Sequence, residues 1–267
     1  MTRMIRRVRL AAAGEALTTV LALTGCSTML DLADEAGGLL DEVTGGGSSN
    51  TAEAPADATA FEGDYFTIVG EAERAYEPAN PGEVFYCDLD ELERATCAYG
   101  ELTGEQRDAA QARRREDITV DPSGWAHNGE TTIPALAGVD GSSEYSGWFW
   151  NRSHLVADSL GGSPDAVNMV TGTRTQNVGS THVDGQFAGG MAYTELKARD
   201  YLDSAAADSC PLYYAATPEC SGDELIPRSV VVDIQSCDST IDERVRVANT
   251  ANGFNINYVT GEWVPVE

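Results

Sequence analysis

Two short strand-like stretches flank a glycine–proline loop in the middle of this chain, and polar residues are set into them at fixed places. Trp148 to Trp150 is aromatic and strand-like, and Leu155-Val156-Ala157 extends the apolar character past His154. Gly161-Gly162-Ser163-Pro164-Asp165 reads as a loop, and Val167 to Val170 reads as a second strand. The chain shows no βαβα alternation and no glycine-rich phosphate loop, which leaves a mixed α+β architecture. Within 26 residues the block supplies one base (His154), one hard oxygen ligand (Asn177) and two cations suited to phosphate (Arg152, Arg174).

The remaining elements are read from local signals. Glu83 to Tyr86 is a short strand, and Asp88 to Tyr99 is ambiguous. Thr103 and Gln106 have the spacing of a capping box, which predicts a helix running to Arg115. Met191 to Leu202 has the best helical spacing in the chain. Leu225 to Ile234, Val245 to Ala248 and Phe254 to Val259 read as strands, with Asn252-Gly253 as a hairpin signal between the last two. No internal repeat is present.

The N-terminus reads as an export signal. Arg3, Arg6, Arg7 and Arg9 precede an apolar stretch from about Ala16 to Leu23, and Leu23-Thr24-Gly25-Cys26 is similar to a bacterial lipobox. By that likeness, residues 1–25 are a signal peptide and Cys26 is lipidated, anchoring the chain on the outer face of the cytoplasmic membrane. Residues 26–60 are small, polar and acidic, a linker composition. Residues 61–267 suffice for one domain with its own core. The net charge is −26, and removing residues 1–25, with four Arg and one Glu, brings it to −29. Such a charge repels polyanions at long range, so either a locally positive cleft sits in a solvated acidic surface or the partner is not nucleic acid. Cys87, Cys97, Cys210, Cys220 and Cys237 follow Cys26. In an exported chain local pairing favours Cys87–Cys97 and either Cys210–Cys220 or Cys220–Cys237.

Asn151-Arg152-Ser153-His154-Leu155 together with Asn168-Met169-Val170-Thr171-Gly172-Thr173-Arg174-Thr175-Gln176-Asn177 resembles the streptodornase-like members of the DNA/RNA non-specific endonucleases, the ββα-metal nucleases. Flanking likeness in Tyr86 to Arg94, Pro122 to Trp125, Gly190 to Glu195, Ile226 to Arg228 and Asn257 to Glu262 extends it over roughly residues 82–267. The resemblance implies a ββα core on a mainly antiparallel sheet with flanking helices. It implies His154 as general base, Asn177 as metal ligand and Arg152 near the scissile phosphate. Asn168 matches an asparagine kept in the site, and Asn151 stands where many relatives have Asp. Glu195 and Arg199, four residues apart, match a helical acid that holds the metal's waters and an arginine one turn later. Arg174 is a further substrate-binding candidate. His127 and His182 lack such context and read as surface or loop residues.

The implied reaction is hydrolysis of DNA, or RNA, with little sequence preference, assisted by Mg²⁺, with Mn²⁺ or Ca²⁺ as substitutes, and leaving 5′-phosphate and 3′-hydroxyl ends. Two other readings compete. One is a lipoprotein that captures nucleic acid without cleaving it. The other is an acidic surface adhesin, supported by the charge alone. No protein partner is implied.

Overall fold

The computed structural model describes residues 63–266; the signal and linker segments and Cys26 lie outside the described residues. In chain order the strands and helices of the first half are β1 (Phe66–Gly70), β2 (Val84–Tyr86), β3 (Ala98–Leu102), α1 (Gly104–Ala112), β4 (Glu130–Ile133), β5 (Tyr145–Trp148), β6 (Trp150–His154) and β7 (Met169–Thr173). Then follow α2 (Arg174–Val178), β8 (His182–Val183), β9 (Gln186–Phe187), α3 (Met191–Leu202), β10 (Leu212–Glu219), β11 (Ser229–Ser236), β12 (Asp242–Ala248), β13 (Phe254–Ile256) and β14 (Trp263–Pro265). No helix among the described residues is long and apolar enough to cross a membrane.

Alternating apolar residues in the C-terminal third build the main sheet. Six antiparallel strands run in the order β1-β12-β11-β10-β3-β2, with β10 and β11 paired along their whole length from Leu212↔Ser236 to Glu219↔Ser229. Leu212, Tyr214, Ala216, Val230, Val232, Ile234, Val245 and Val247 line one core, which Met191, Ala198 and Leu202 of α3 cover. Each large side chain so buried contributes roughly 1.5–3 kcal/mol. A second core gathers Ile133, Phe149, Trp150, Ile226, Ala251, Ile256 and Tyr258. The β6–β7 ribbon joins the two. Trp150 at its start lies in the second core, and Leu155 and Val156 just past its end lie in the first. His154 is thereby fixed between two packed bodies.

The structure bears out β2, α3 and the cap of α1, where Thr103 Oγ1 accepts from Gln106 N at 3.2 Å. Other elements shift. The strand at 148–150 divides at Phe149, whose backbone N–H turns to Gly129 O at 2.9 Å, so β5 and β6 join different ribbons. Helix α1 stops at Ala112, because Arg113 is extended and its guanidinium reaches Asp158 at 2.9 Å. The strand at 167–170 begins only at Met169, after a single 3₁₀ turn. The strand expected from Leu225 begins at Ser229, since the amides of Leu225 and Ile226 both donate to Tyr258 O. The hairpin at Asn252-Gly253 does not form. Asn252 instead donates to the carbonyls of Pro134 and Ala135, and β13 pairs with β14.

The cysteines need one correction. Cys87–Cys97 pair as expected, but Cys210 is joined to Cys237, leaving Cys220 free. The register explains it: Leu212 faces Ser236, so Cys210 and Cys237 flank the same end of the β10–β11 hairpin. Cys220 lies past the other end of β10, roughly 33 Å of extended chain from Cys210.

Candidate active site

Strand β6 is pinned at its start by Asn128, which brackets Trp150 with two hydrogen bonds of 2.9 and 3.1 Å, and its last residue is His154. Antiparallel pairing with β7 sets His154 opposite Met169. Thr173 closes β7 and caps α2, its Oγ1 accepting from Gln176 N at 2.9 Å, so Asn177 falls on the first turn after the ribbon. Met191 then opens α3, which carries Glu195 and Arg199.

His154 is 8% exposed, and its ring makes no hydrogen bond with any described residue. A core histidine held for stability would be hydrogen-bonded. Burial, then the Arg115 guanidinium, push its pKa down to about 4, against the opposing pull of Asp158. The imidazole is therefore neutral throughout the neutral range. Glu195 moves the other way: burial pushes its carboxyl up to about 7, against the pull of Arg199 and then Arg115. The Glu195–Arg199 contact is 3.6 Å, with both side chains mostly covered.

Arg115 thus bears on both groups, and residue-by-residue reading missed it. The signal was there in the run Arg113-Arg114-Arg115 of an acidic chain. Arg113 anchors that run to the loop after His154, bonding Asp158 and the carbonyls of Asp158 and Gly162. Among the described residues ten of the thirteen Lys and Arg have a carboxylate within 4.0 Å, and the three without one are Arg114, Arg115 and Arg174. Arg174, the first residue of α2, lies instead over the rings of Tyr145 at 4.9 Å and Phe187 at 4.5 Å. Two of these three cations sit beside the candidate chemistry, while most of the others are neutralised locally.

Asn177 donates through Nδ2 to Asn151 Oδ1 at 3.3 Å, and its own Oδ1 accepts nothing from the described residues. Asn151 therefore orients Asn177 and leaves a hard oxygen free. Arg152 is held by Asp121, Nε to Oδ1 at 2.9 Å, and lies 4.5 Å over Trp125. Asn168, which the resemblance set in the site, is held by the backbone around His154. It is fully buried, with Oδ1 accepting from Val156 N and Nδ2 donating to the carbonyls of Val156 and Ser163. With both side-chain polar atoms committed to backbone, it braces the segment after His154. His127 and His182 lie on loop and hairpin surface, as expected, the latter against Phe187 at 4.3 Å.

The pKa directions set an expected pH response for metal-free protein. A depressed folded pKa at His154 gives stability that is present above 6.5 and lost as pH falls toward 4, on the order of 3 kcal/mol. The raised pKa of Glu195 gives the opposite, stability present below 4.5 and lost as pH rises through about 7. Between these limits the two oppose. Unfolding in EDTA should show His154→Gln losing stability with rising pH and Glu195→Gln gaining it. Parallel curves for both variants and wild type would refute the two shifts.

A profile of the DNA/RNA non-specific endonuclease family matches residues 75–238. A deoxyribonuclease of Streptococcus dysgalactiae subsp. equisimilis is 33% identical, covering 74% of this chain and 72% of the relative. The Sda1 nuclease, solved with a bound zinc ion, superposes with a TM-score of 0.66 at 30% identity, over 77% of this chain and 98% of that one. NucA from Streptococcus agalactiae, solved with magnesium bound, has a TM-score of 0.52 at 20% identity, over 73% and 84%, a likeness of fold.

Proposed function

The chain belongs to the DNA/RNA non-specific endonuclease family, and on that premise we propose that it is an exported, divalent-cation-dependent nuclease with His154 as general base. The observation that carries this reading is the pairing of a neutral, unbonded imidazole with a carboxyl held near neutrality, both under the influence of Arg115. Environments that push two titratable groups apart in this way mark acid–base chemistry rather than packing.

His154 takes the proton of the attacking water. Arg115 and Arg174, free of carboxylates, bind backbone phosphate, and Arg152 does so on release from Asp121. Burial is the main cause of the depressed His154 pKa; a phosphate seated on Arg115 offsets the smaller contribution of that guanidinium, so docking of substrate relieves part of the depression. Contacts of this kind read the phosphate backbone and not base edges, which gives low sequence preference. They also give a positive cleft within an acidic surface.

The residues present fit a hard cation. The free Asn177 Oδ1 would hold it, with Asn151 fixing the amide and Glu195 in its outer shell. Among the described residues no cluster of three His, Cys, Asp or Glu is present, so the protein would supply few ligands of its own. A sparse donor set made only of oxygen suits Mg²⁺, which keeps several waters. When bound, such an ion supplies charge stabilisation to the phosphate and the departing 3′ oxygen. Support for a divalent ion comes also from the zinc in Sda1.

Plasmid cleavage with Mg²⁺, and in excess EDTA, tests the reading. Cleavage abolished by EDTA and restored by Mg²⁺ is expected. Undiminished cleavage in EDTA would overturn the cation assignment, and binding without cleavage would favour capture over catalysis.

Two disulfides suit an oxidising compartment. They support export, and the lipobox likeness of Leu23-Thr24-Gly25-Cys26 supports a lipid anchor at Cys26. Cys26→Ala is expected to move the protein from the membrane fraction to the medium with activity unchanged, as fits one attachment point. Retention in the membrane fraction would refute the lone anchor.

A further inference from the structure

We propose that Asp64 is a positioning residue, a clasp that holds the helix bearing Asn177 and the helix bearing Glu195 in their mutual register. Its functional consequence rests on the metal-site reading above.

Asp64 is 3% exposed and lies just before β1, upstream of the segment that the family profile matches. Its Oδ2 accepts from Ser180 N at 2.5 Å, Thr181 N at 2.7 Å and Thr181 Oγ1 at 2.9 Å, and its Oδ1 accepts from Ser180 Oγ at 2.6 Å. Its backbone carbonyl accepts from Gly190 N at 2.8 Å. Ser180 comes three residues after Asn177, and Gly190 is the residue that leads into α3, five before Glu195. One residue therefore fixes both ends of the 180–190 connection. Among the described residues no Lys or Arg pairs with this carboxylate, and the four donors compensate its charge. Bonds to an ionised acceptor are the stronger kind.

The surroundings are built around it. A β-carbon on Gly179 or Gly189 would collide with Asp64 Oδ2, so both positions require glycine for the carboxylate to enter. Tyr65 follows with φ of 64°, in the left-handed region that a bulky residue rarely adopts. That turn sends the Tyr65 ring into the interior, where it is fully buried, while the Asp64 carboxylate points at the helix junction. Strain of this kind persists only where the surroundings over-determine it.

The test uses the full chain with Asp64→Ala, Asp64→Asn, Thr181→Val and, as a control for plain destabilisation, Val232→Ala in the main sheet. In metal-free protein, Asp64→Ala should raise amide exchange across residues 178–192 by about tenfold while β10 and β11 stay protected. The Mg²⁺ concentration giving half-maximal thermal stabilisation, and half-maximal cleavage, should rise by about tenfold or more, with KM for DNA unchanged. Asp64→Asn keeps an acceptor toward the two amides and should recover most of both. Thr181→Val, which removes one donor and is expected to fold, should give a smaller change of the same sign. Val232→Ala should lower the melting temperature without moving the Mg²⁺ midpoint. Unchanged exchange at 178–192 in both Asp64→Ala and Thr181→Val, or in Thr181→Val alone if the alanine variant does not fold, would overturn the clasp. So would an Mg²⁺ midpoint that tracks melting temperature equally in all variants. If wild type cleaves without metal, the cation reading fails while the exchange measurement still decides the clasp.

Discussion

His154→Ala is expected to lower kcat by about 10²–10⁴-fold, the range for loss of a positioned general base, with the melting temperature at pH 7 little changed. The structure supports both halves. The ring forms no hydrogen bond that the fold would lose, and it is neutral at pH 7, so no ion pair is broken. The loss should fall on kcat and kcat/KM together, because a proton taken only in the transition state contributes nothing to ground-state binding. Added imidazole should restore part of the rate by entering the space left by the ring. A variant that retained more than about half of the activity would refute the assignment, since no general base is worth so little. A loss accompanied by unfolding would return the residue to a packing role.

Asn177→Ala is expected to lower the rate at ordinary Mg²⁺ by about 10²-fold or more, the scale for removing one electrostatic stabiliser from an active site. Part of it should return at high Mg²⁺. The Asn177 Oδ1 accepts no hydrogen bond from the described residues while its Nδ2 is held by Asn151, so its deletion removes an oriented, available oxygen ligand. Asn151→Ala should produce the same pattern more weakly, because Asn151 acts by orienting the Asn177 amide. The pH dependence supplies a cross-check. A carboxyl raised to about 7 holds its proton in competition with a cation, so the Mg²⁺ requirement of wild type should grow as pH falls below about 7. Glu195→Gln removes that dependence. A Mg²⁺ midpoint that ignored pH in wild type would separate Glu195 from the cation.

The charge conflict visible in the composition finds a physical account in the ion pairs. A described domain with thirteen basic residues places ten of them against carboxylates, and two of the three left over, Arg115 and Arg174, near the candidate site. Net charge governs long-range approach, whereas the field within a cleft is set by the charges that remain uncompensated there.

Local chemistry in the sequence determined much of this protein. A threonine followed three residues on by glutamine specified the start of α1, and the spacing from Met191 to Leu202 specified α3. The short block from Asn151 to Asn177, through its resemblance to the family, was enough to imply the mainly antiparallel α+β fold. These features depend on neighbours within a few residues, which a linear pattern records. The tertiary structure alone decided which distant parts meet. The β10–β11 register joined Cys210 to Cys237. The loop anchored by Arg113 carried Arg115 to His154, 39 residues away in the sequence. Asp64 crossed 116 positions to the Ser180 turn. Asn168, which the resemblance alone had placed in the site, is tied to the backbone on either side of the loop by three hydrogen bonds. Such encounters are fixed by sheet pairing and core packing, in which a one-residue change of register redirects every side chain, and no local pattern encodes that register.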